Sequence, residues 1–172
     1  TAWLRFFSCN LQCNGFGQDD PTNPDTYELP YQDINVDDYK TLEELPVFEK
    51  GCDSSYSWSK KFKHLQRSGT PDEIAQRLLD IIPYDDFRQK DSLSRQDIHL
   101  CFTGGEPLMK KSQKAVREIM MSLRHLAKQP NNITFETNGT QPLSTDFIDH
   151  FNNRGLFSGN IFWSIRLLNQ MC

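Results

Sequence analysis

The sequence has no apolar run that approaches the about 20 residues needed to cross a bilayer. Its first ten residues, TAWLRFFSCN, also lack the basic stretch, apolar core and cleavage site of a secretory signal. Basic residues are not in excess, since the net charge is −4, whereas a dedicated nucleic-acid-binding domain usually carries a basic face. We therefore expect a cytoplasmic protein that binds neither a membrane nor a nucleic acid.

Internal repeats and low-complexity tracts are also missing, and the composition is that of an ordinary globular chain. The 172 residues are 37% hydrophobic and 24% charged, which suits one domain with a substantial core. The first residue is Thr1 rather than methionine, and an apolar run follows it without a cap or turn. We expect residues 1–172 to be a single domain that is truncated at both ends relative to a longer protein.

Helical patterns occur three times after residue 69. TPDEIAQRLLDII predicts a helix that Thr70 caps, with Glu73 completing a capping box and with Ile74, Leu78 and Ile81 on one face. KSQKAVREIMMSLRHLAK predicts a second amphipathic helix, and STDFIDHFNN predicts a short third one. The apolar side of the second helix consists of Val116, Ile119, Met120 and Leu123.

Four strands are predicted around these helices, and in chain order they are AWLRFF, DIHLCFTGGEP, NITFETNGT and GNIFWSI. Strands that alternate with helices are typical of right-handed βαβ units and a mostly parallel sheet. The units are too few for a closed eight-stranded barrel of about 250 residues, so we predict an α/β fold with a partial barrel. Ligands of such sheets bind at the carboxyl ends of the strands.

Cysteines follow the first predicted strand. Cys9 and Cys13 have the spacing that often begins an iron–sulfur motif, but Phe16 stands where the next cysteine is expected. Residues 14–51 are rich in Asp, Pro, Asn and Tyr with little periodicity, which is typical of a long loop that leaves the core and returns. Cys52 follows this loop directly, so we predict that three thiolates converge at one strand end.

Soft thiolate ligands suit either an iron–sulfur cluster or zinc. The spacing alone leaves two other interpretations open: a zinc site completed by His64 or Cys101, and thiols that are simply buried. We expect Cys101, which lies among apolar residues of a strand, to belong to the core. Cys172 has no predicted role.

The motifs CNLQC, CDSSYSW, TGGEP and ETNGT together resemble the radical S-adenosylmethionine (SAM) superfamily and, within it, the 7-carboxy-7-deazaguanine synthases. The resemblance covers most of residues 1–165 and implies a radical SAM core. That family usually has a compact C-x3-C-x2-C motif, so the resemblance implies an insertion, residues 14–51, within the cluster-binding loop. After Ile165 the chain departs from the family, which usually has a strand end with serine and lysine there.

The resemblance also implies the ligands of each motif. Cys9, Cys13 and Cys52 would ligate a 4Fe–4S cluster whose open iron binds SAM. The residues that would bind SAM are Gly104, Gly105, Glu106, Glu136 and Asn138. The structural alternative for GGEP and ETNGT is a pair of tight turns.

Three further residues are placed by the same resemblance. Ser54 occupies the position of a family threonine whose oxygen reaches Mg²⁺, and its structural alternative is a turn or N-cap residue. Arg5 would bind the substrate carboxylate through its guanidinium fork, or it is a surface arginine on an edge strand. Thr103 would also contact the substrate.

The implied activity is a carbon–nitrogen lyase reaction in deazapurine and queuosine biosynthesis. It converts the pterin substrate 6-carboxy-5,6,7,8-tetrahydropterin to 7-carboxy-7-deazaguanine with loss of ammonia, using electrons from a flavodoxin-like donor. Two alternatives stay open: another small radical SAM enzyme, such as a glycyl-radical activase, and a non-catalytic zinc-binding module. For residues 14–51 the sequence leaves three roles open, which are shielding the site, binding a reductant and forming a homodimer interface.

Overall fold

A parallel sheet organises the computed structural model, which describes residues 1–82 and 99–166. In those residues the sheet has four strands in the order β1-β2-β3-β4, and every neighbouring pair is parallel. The strands are β1 Ala2–Phe6, β2 His99–Gly104, β3 Asn132–Thr137 and β4 Asn160–Ile165. This confirms the α/β class and the parallel sheet. The first residues of the second predicted strand, from Asp97, lie outside the described residues, as do Cys172 and the divergent residues 167–172.

Helices connect these strands. Within the described ranges they are α1 Pro30–Asp33, α2 Pro71–Ile81, α3 Lys110–His125 and α4 Thr145–Asn152, and none of them is long and apolar enough to cross a membrane. The predicted capping box of α2 is confirmed: Thr70 Oγ1 accepts the Glu73 N–H at 3.3 Å, and Glu73 accepts the Thr70 N–H at 2.8 Å. Ser144 caps α4, since its hydroxyl accepts the Phe147 N–H at 3.3 Å.

The main core lies between one face of the sheet and the helices α2, α3 and α4. Its sheet residues include Leu100, Phe102, Ile133 and Phe135, and all four predicted residues of α3 are buried in it. One prediction for α2 is wrong, because Ile81 is 63% exposed. The buried stripe of that helix is centred on Ala75 and Leu78, so Ile81 falls at its edge.

Helix α3 ends earlier than the sequence pattern predicts. The helix stops at His125 instead of continuing to Lys128. Ala127 adopts a left-handed conformation with φ of 53°, and the Lys128 N–H then donates to the Leu123 carbonyl at 2.8 Å. This is the usual way to close a helix, but glycine normally marks the position, and alanine gave no such signal.

The inserted segment, residues 14–51, consists of α1 and short 3₁₀ turns at Pro24–Thr26, Val36–Asp38 and Leu42–Glu44. Two more 3₁₀ segments, Ser55–Ser57 and Lys60–Leu65, follow Cys52. The insertion and these two segments share a second apolar core, separate from the one on the sheet. Its buried members are Tyr31, Phe48, Phe62 and Leu65.

One buried histidine makes the stability of this fold depend on pH. His150 on α4 is buried beside Phe151, and its Nε2 has no hydrogen-bond partner in the described part of the chain. Burial lowers the pKa of His150 below its ordinary 6.5, and the nearby Arg117 and Arg124 act in the same direction. Protonation of His150 therefore favours the unfolded chain, so its contribution to stability is complete above pH 6.5 and is lost as the pH falls below that value.

We expect the free energy of unfolding in urea to decrease between about pH 7.5 and about pH 5.5, across the titration range of histidine. His150→Phe should make this decrease smaller, because phenylalanine cannot take up a proton. His125→Gln is the matched control, because it removes a histidine that is exposed instead of buried. An equal pH dependence in wild type and His150→Phe would contradict the assignment to His150.

Candidate functional site

The carboxyl edge of the sheet brings the predicted motifs together. The loop after β2 continues to pair with the chain after β1: the Gly105 N–H donates to the Phe6 carbonyl at 3.0 Å, and the Glu106 N–H donates to the Ser8 carbonyl at 2.7 Å. A Cβ atom on Gly104 would lie 2.3 Å from the Phe6 oxygen, and one on Gly105 would lie 2.2 Å from the Ser8 oxygen. Both glycines are therefore required for this close approach of two backbones.

Glu106 joins the loop after β2 to the end of β3. Its side chain is fully buried, and its Oε1 accepts the Leu108 N–H and the Thr137 hydroxyl, each at 2.8 Å. Its Oε2 accepts the Asn138 N–H at 2.8 Å. In the structure Glu106 thus acts as a clamp between two loops, a role that the sequence did not indicate. Its predicted contact with SAM stays a prediction.

Asn138 connects the end of β3 to the cysteine loop. Its side-chain amide donates to Asn10 Oδ1 at 3.1 Å and lies 3.9 Å from the Cys9 sulfur. Asn10 in turn donates to Thr140 Oγ1 at 2.8 Å, and the Thr140 hydroxyl donates to Asn138 Oδ1 at 2.6 Å. This closed ring of three side chains holds an N–H donor towards Cys9. Asn10 gave no signal in the sequence beyond its position next to that cysteine.

Two of the three predicted cluster ligands meet at this edge. Cys9 and Cys52 are both free thiols of intermediate burial, and their loops are joined by the Ser8 N–H, which donates to the Ser57 carbonyl at 2.9 Å. Burial raises the pKa of the Cys9 thiol, and the charges of Glu106 and Cys52 add to that effect. Burial also raises the pKa of Cys52, while the side chain of Trp58 acts in the opposite direction by favouring the thiolate.

Cys13 is the third predicted ligand, and in the structure it is disulfide-bonded. Within residues 1–82 and 99–166, no three His, Cys, Asp or Glu side chains are grouped so that they could hold a metal ion. The described residues therefore show neither the predicted group of three cluster cysteines nor the zinc site that His64 or Cys101 would complete. The Cys13 sulfur can become a metal ligand only after its disulfide is reduced.

Ser54 lies immediately after the Cys52–Asp53 pair. It precedes the 3₁₀ turn Ser55–Ser57, but its side chain makes no capping hydrogen bond there, while its carbonyl accepts the Ser57 hydroxyl at 2.6 Å. Asp53 forms an ion pair with Arg166 at 3.8 Å, which links this loop to the end of β4. The turn explains the Ser54 backbone but gives its hydroxyl no capping role.

A polar row crosses the sheet next to this edge, on the face opposite the main core. Arg5 is in register with Thr103, and Glu136 is in register with Ser164. The Thr103 hydroxyl donates to Glu136 Oε2 at 2.8 Å, which joins the two pairs into one row. The Arg5 guanidinium lies 5.7 Å from the centre of the Tyr56 ring, a favourable cation–π distance.

Cys101 lies on the same face of the sheet, two residues before Thr103 on β2. It is buried, as predicted, and burial raises the pKa of its thiol to about 11, with a further contribution from Glu136 and an opposing one from Arg5. Cys101 is therefore a protonated, unreactive thiol at neutral pH. The strand register places Arg5, Cys101 and Glu136 on the same face of the sheet.

Comparison with protein-family models, with curated proteins and with solved structures finds no match for this chain. The chemistry of the carboxyl edge therefore has to be inferred from its own residues. That edge combines two thiols, a close approach of two backbones that Gly104 and Gly105 permit and, beside them, an arginine and a carboxylate in one row. Asn10, Tyr56, Trp58 and Thr137 also belong to the site, and none of them was predicted from the sequence.

Proposed function

We propose that this chain is a radical SAM carbon–nitrogen lyase that converts 6-carboxy-5,6,7,8-tetrahydropterin to 7-carboxy-7-deazaguanine. The observation that carries the proposal is the meeting of Cys9 and Cys52 with the Gly104–Gly105 loop and Asn138 at one sheet edge, next to the row that contains Arg5. We also propose that the sheet is part of a partial barrel whose interior is this polar face. The protein would work in the cytoplasm and receive electrons from a flavodoxin-like donor.

The donor groups around the two thiols fit a sulfur-ligated cluster. The side-chain amide of Asn138 is directed at the Cys9 sulfur, and the buried Trp58 indole N–H, which has no partner of good geometry in the described residues, lies near Cys52. N–H groups of this kind stabilise negative charge on thiolate or cluster sulfur. Cys9, Cys52 and, after reduction of its disulfide, Cys13 would hold a 4Fe–4S cluster. When bound, that cluster and SAM would supply the radical chemistry.

The polar row would bind and orient the substrate. The Arg5 guanidinium would donate two parallel hydrogen bonds to the substrate carboxylate, and the Tyr56 ring would keep the guanidinium in place. Thr103 would contact the substrate while its hydroxyl fixes Glu136, and the remaining lone pairs of Glu136 would help to bind SAM. The Ser54 hydroxyl, which makes no capping bond, would be a ligand of Mg²⁺.

A direct test uses the chain after anaerobic reduction and reconstitution with iron and sulfide. Incubation with SAM, the pterin and a low-potential reductant should yield 7-carboxy-7-deazaguanine and 5′-deoxyadenosine, both measured by mass spectrometry. Absence of both products from a protein with a full 4Fe–4S cluster would contradict the proposed reaction. Formation of 5′-deoxyadenosine alone would favour another radical SAM activity.

Arg5→Lys should raise KM for the pterin by roughly tenfold or more, because lysine cannot form the bidentate contact worth about 1.5–3 kcal/mol. Its 4Fe–4S content should equal that of wild type, since Arg5 lies on the strand and not in the cysteine loop. Arg117→Lys is the matched control, because Arg117 bonds Asp146 on the helical side at 3.0 Å. A KM unchanged in Arg5→Lys would remove Arg5 from the substrate site.

A further inference from the structure

The insertion and the loop of Cys52 share one apolar core. Tyr31 of the insertion is buried, and its ring meets the Trp58 ring edge-on with centroids 5.6 Å apart. Phe48, from the end of the insertion, packs against both Tyr31 at 6.4 Å and Phe62 at 6.2 Å. The insertion is therefore joined by buried aromatic rings to the segment that follows Cys52, and it is not an appendage that projects from the surface.

The chain from Cys52 to Trp58 winds in tight turns. The Ser55 N–H donates to the Cys52 carbonyl at 3.0 Å, and the Trp58 N–H donates to the Ser55 carbonyl at 3.2 Å. The 3₁₀ turn itself covers Ser55–Ser57, so Cys52 and Trp58 stand at the two ends of one short wound segment. The Trp58 indole N–H is buried and has no hydrogen-bond partner in the described residues, so it is available to a group in this segment.

The base of the insertion is closed by its own contacts. The Gly51 N–H donates to the Phe16 carbonyl at 2.7 Å, and Lys50 forms an ion pair with Glu28 at 2.7 Å. Gly51 has a φ of 78°, and a Cβ atom there would lie 3.0 Å from Leu29. Gly51, the last residue of the insertion, is thus packed against Leu29 immediately before Cys52. This contact fixes where the chain returns to the sheet.

We propose that residues 14–51 are a buttress for Cys52, in which Tyr31 positions Trp58 and the Trp58 indole N–H faces the Cys52 sulfur. Tyr31 and Trp58 are positioning residues that act through the cysteine. The packing part of the proposal stands on the aromatic core alone. The part that concerns the sulfur rests on the proposed cluster function, so the two parts are tested by separate measurements.

Amide hydrogen exchange of the full chain tests the packing. Tyr31→Ala should lower the protection of residues 51–58 by about tenfold, the factor that corresponds to about 1.4 kcal/mol, and leave that of β2 unchanged. Tyr31→Phe, which keeps the ring, should retain the protection of 51–58. Val47→Ala is the matched control, because Val47 belongs to the insertion but is 86% exposed.

Equal protection of 51–58 in wild type and Tyr31→Ala would overturn the buttress. If Tyr31→Ala unfolds β2 as well, Tyr31→Leu takes its place, since leucine keeps apolar volume in the core without the ring edge. Tyr31→Leu should then lower the protection of 51–58 selectively. Unchanged protection in this second variant would overturn the proposal equally.

The reduction potential of the reconstituted cluster tests the indole contact. Trp58→Phe removes the N–H that would stabilise extra negative charge on sulfur, so its midpoint potential should be lower than that of wild type. Trp163→Phe is the control, because Trp163 stacks on Phe135 on the other face of the sheet. A potential unchanged in Trp58→Phe would overturn the indole contact. If wild type takes up no cluster, the proposed function fails, while the exchange experiment still decides the buttress.

Discussion

Cys52→Ala is expected to abolish uptake of a 4Fe–4S cluster under anaerobic reconstitution, whereas wild type should bind four irons and four sulfides per chain. The reason is that the proposed cluster has three cysteine ligands, and Cys52 is one of the two among them that are free thiols in the structure. The measurement is the iron and acid-labile sulfide content of both proteins, read with their visible absorbance. Reduction before reconstitution is necessary because Cys13 starts in a disulfide.

Cys101→Ala is the matched control for this experiment. Cys101 is a buried thiol of β2, and burial raises its pKa to about 11. It should therefore contribute nothing to cluster binding, and Cys101→Ala should take up as much iron and sulfide as wild type. Equal iron content in Cys52→Ala and wild type would show that Cys52 is not a ligand, and the interrupted cysteine motif would then be wrong. Stoichiometric zinc without iron in wild type would favour the zinc-binding module.

Local patterns were sufficient to predict most of the sheet and its helices. The cap at Thr70 and the stripe through Val116 and Ile119 depend on neighbours three or four residues away, and such signals can be read from one segment. The parallel direction of the strands followed from the alternation of strand and helix. The end of α3 was missed because the residue in the left-handed conformation, Ala127, is not the glycine that usually marks it.

The candidate site was predicted only where its residues belong to compact motifs. Thr103 was predicted as part of TGGEP, and Arg5 was predicted through the family resemblance. Asn10 and Thr137 belong to the site through contacts with residues distant in the sequence: Asn10 with Thr140, 130 residues away, and Thr137 with Glu106, 31 residues away. The core of the insertion was missed for a related reason. Its apolar residues, such as Tyr31 and Phe48, follow no helical or strand period, so their convergence appears only in three dimensions.

Glu106→Leu is expected to cost about 3 kcal/mol or more of unfolding free energy, because each buried donor left without an acceptor costs about 1–3 kcal/mol. Three donors depend on this carboxylate: the N–H groups of Leu108 and Asn138 and the hydroxyl of Thr137. Urea unfolding of the chain measures the loss. Glu118→Leu is the matched control, since Glu118 forms only a surface ion pair with Lys114 at 3.7 Å, and its variant should stay within about 0.5 kcal/mol of wild type.

Glu106→Gln separates the clamp from a direct contact with SAM. The amide keeps the size of the side chain but replaces one acceptor oxygen by an NH₂ donor. This NH₂ group would face either the Asn138 N–H or the two donors that Oε1 accepts, the Leu108 N–H and the Thr137 hydroxyl. If the clamp is the main role, unfolding free energy and SAM affinity should fall together, since the loop after β2 loosens. If SAM affinity falls while the unfolding free energy stays at the wild-type value, the carboxylate itself binds SAM. Wild-type values for both quantities would contradict the clamp, because three buried donors would then have been satisfied without it.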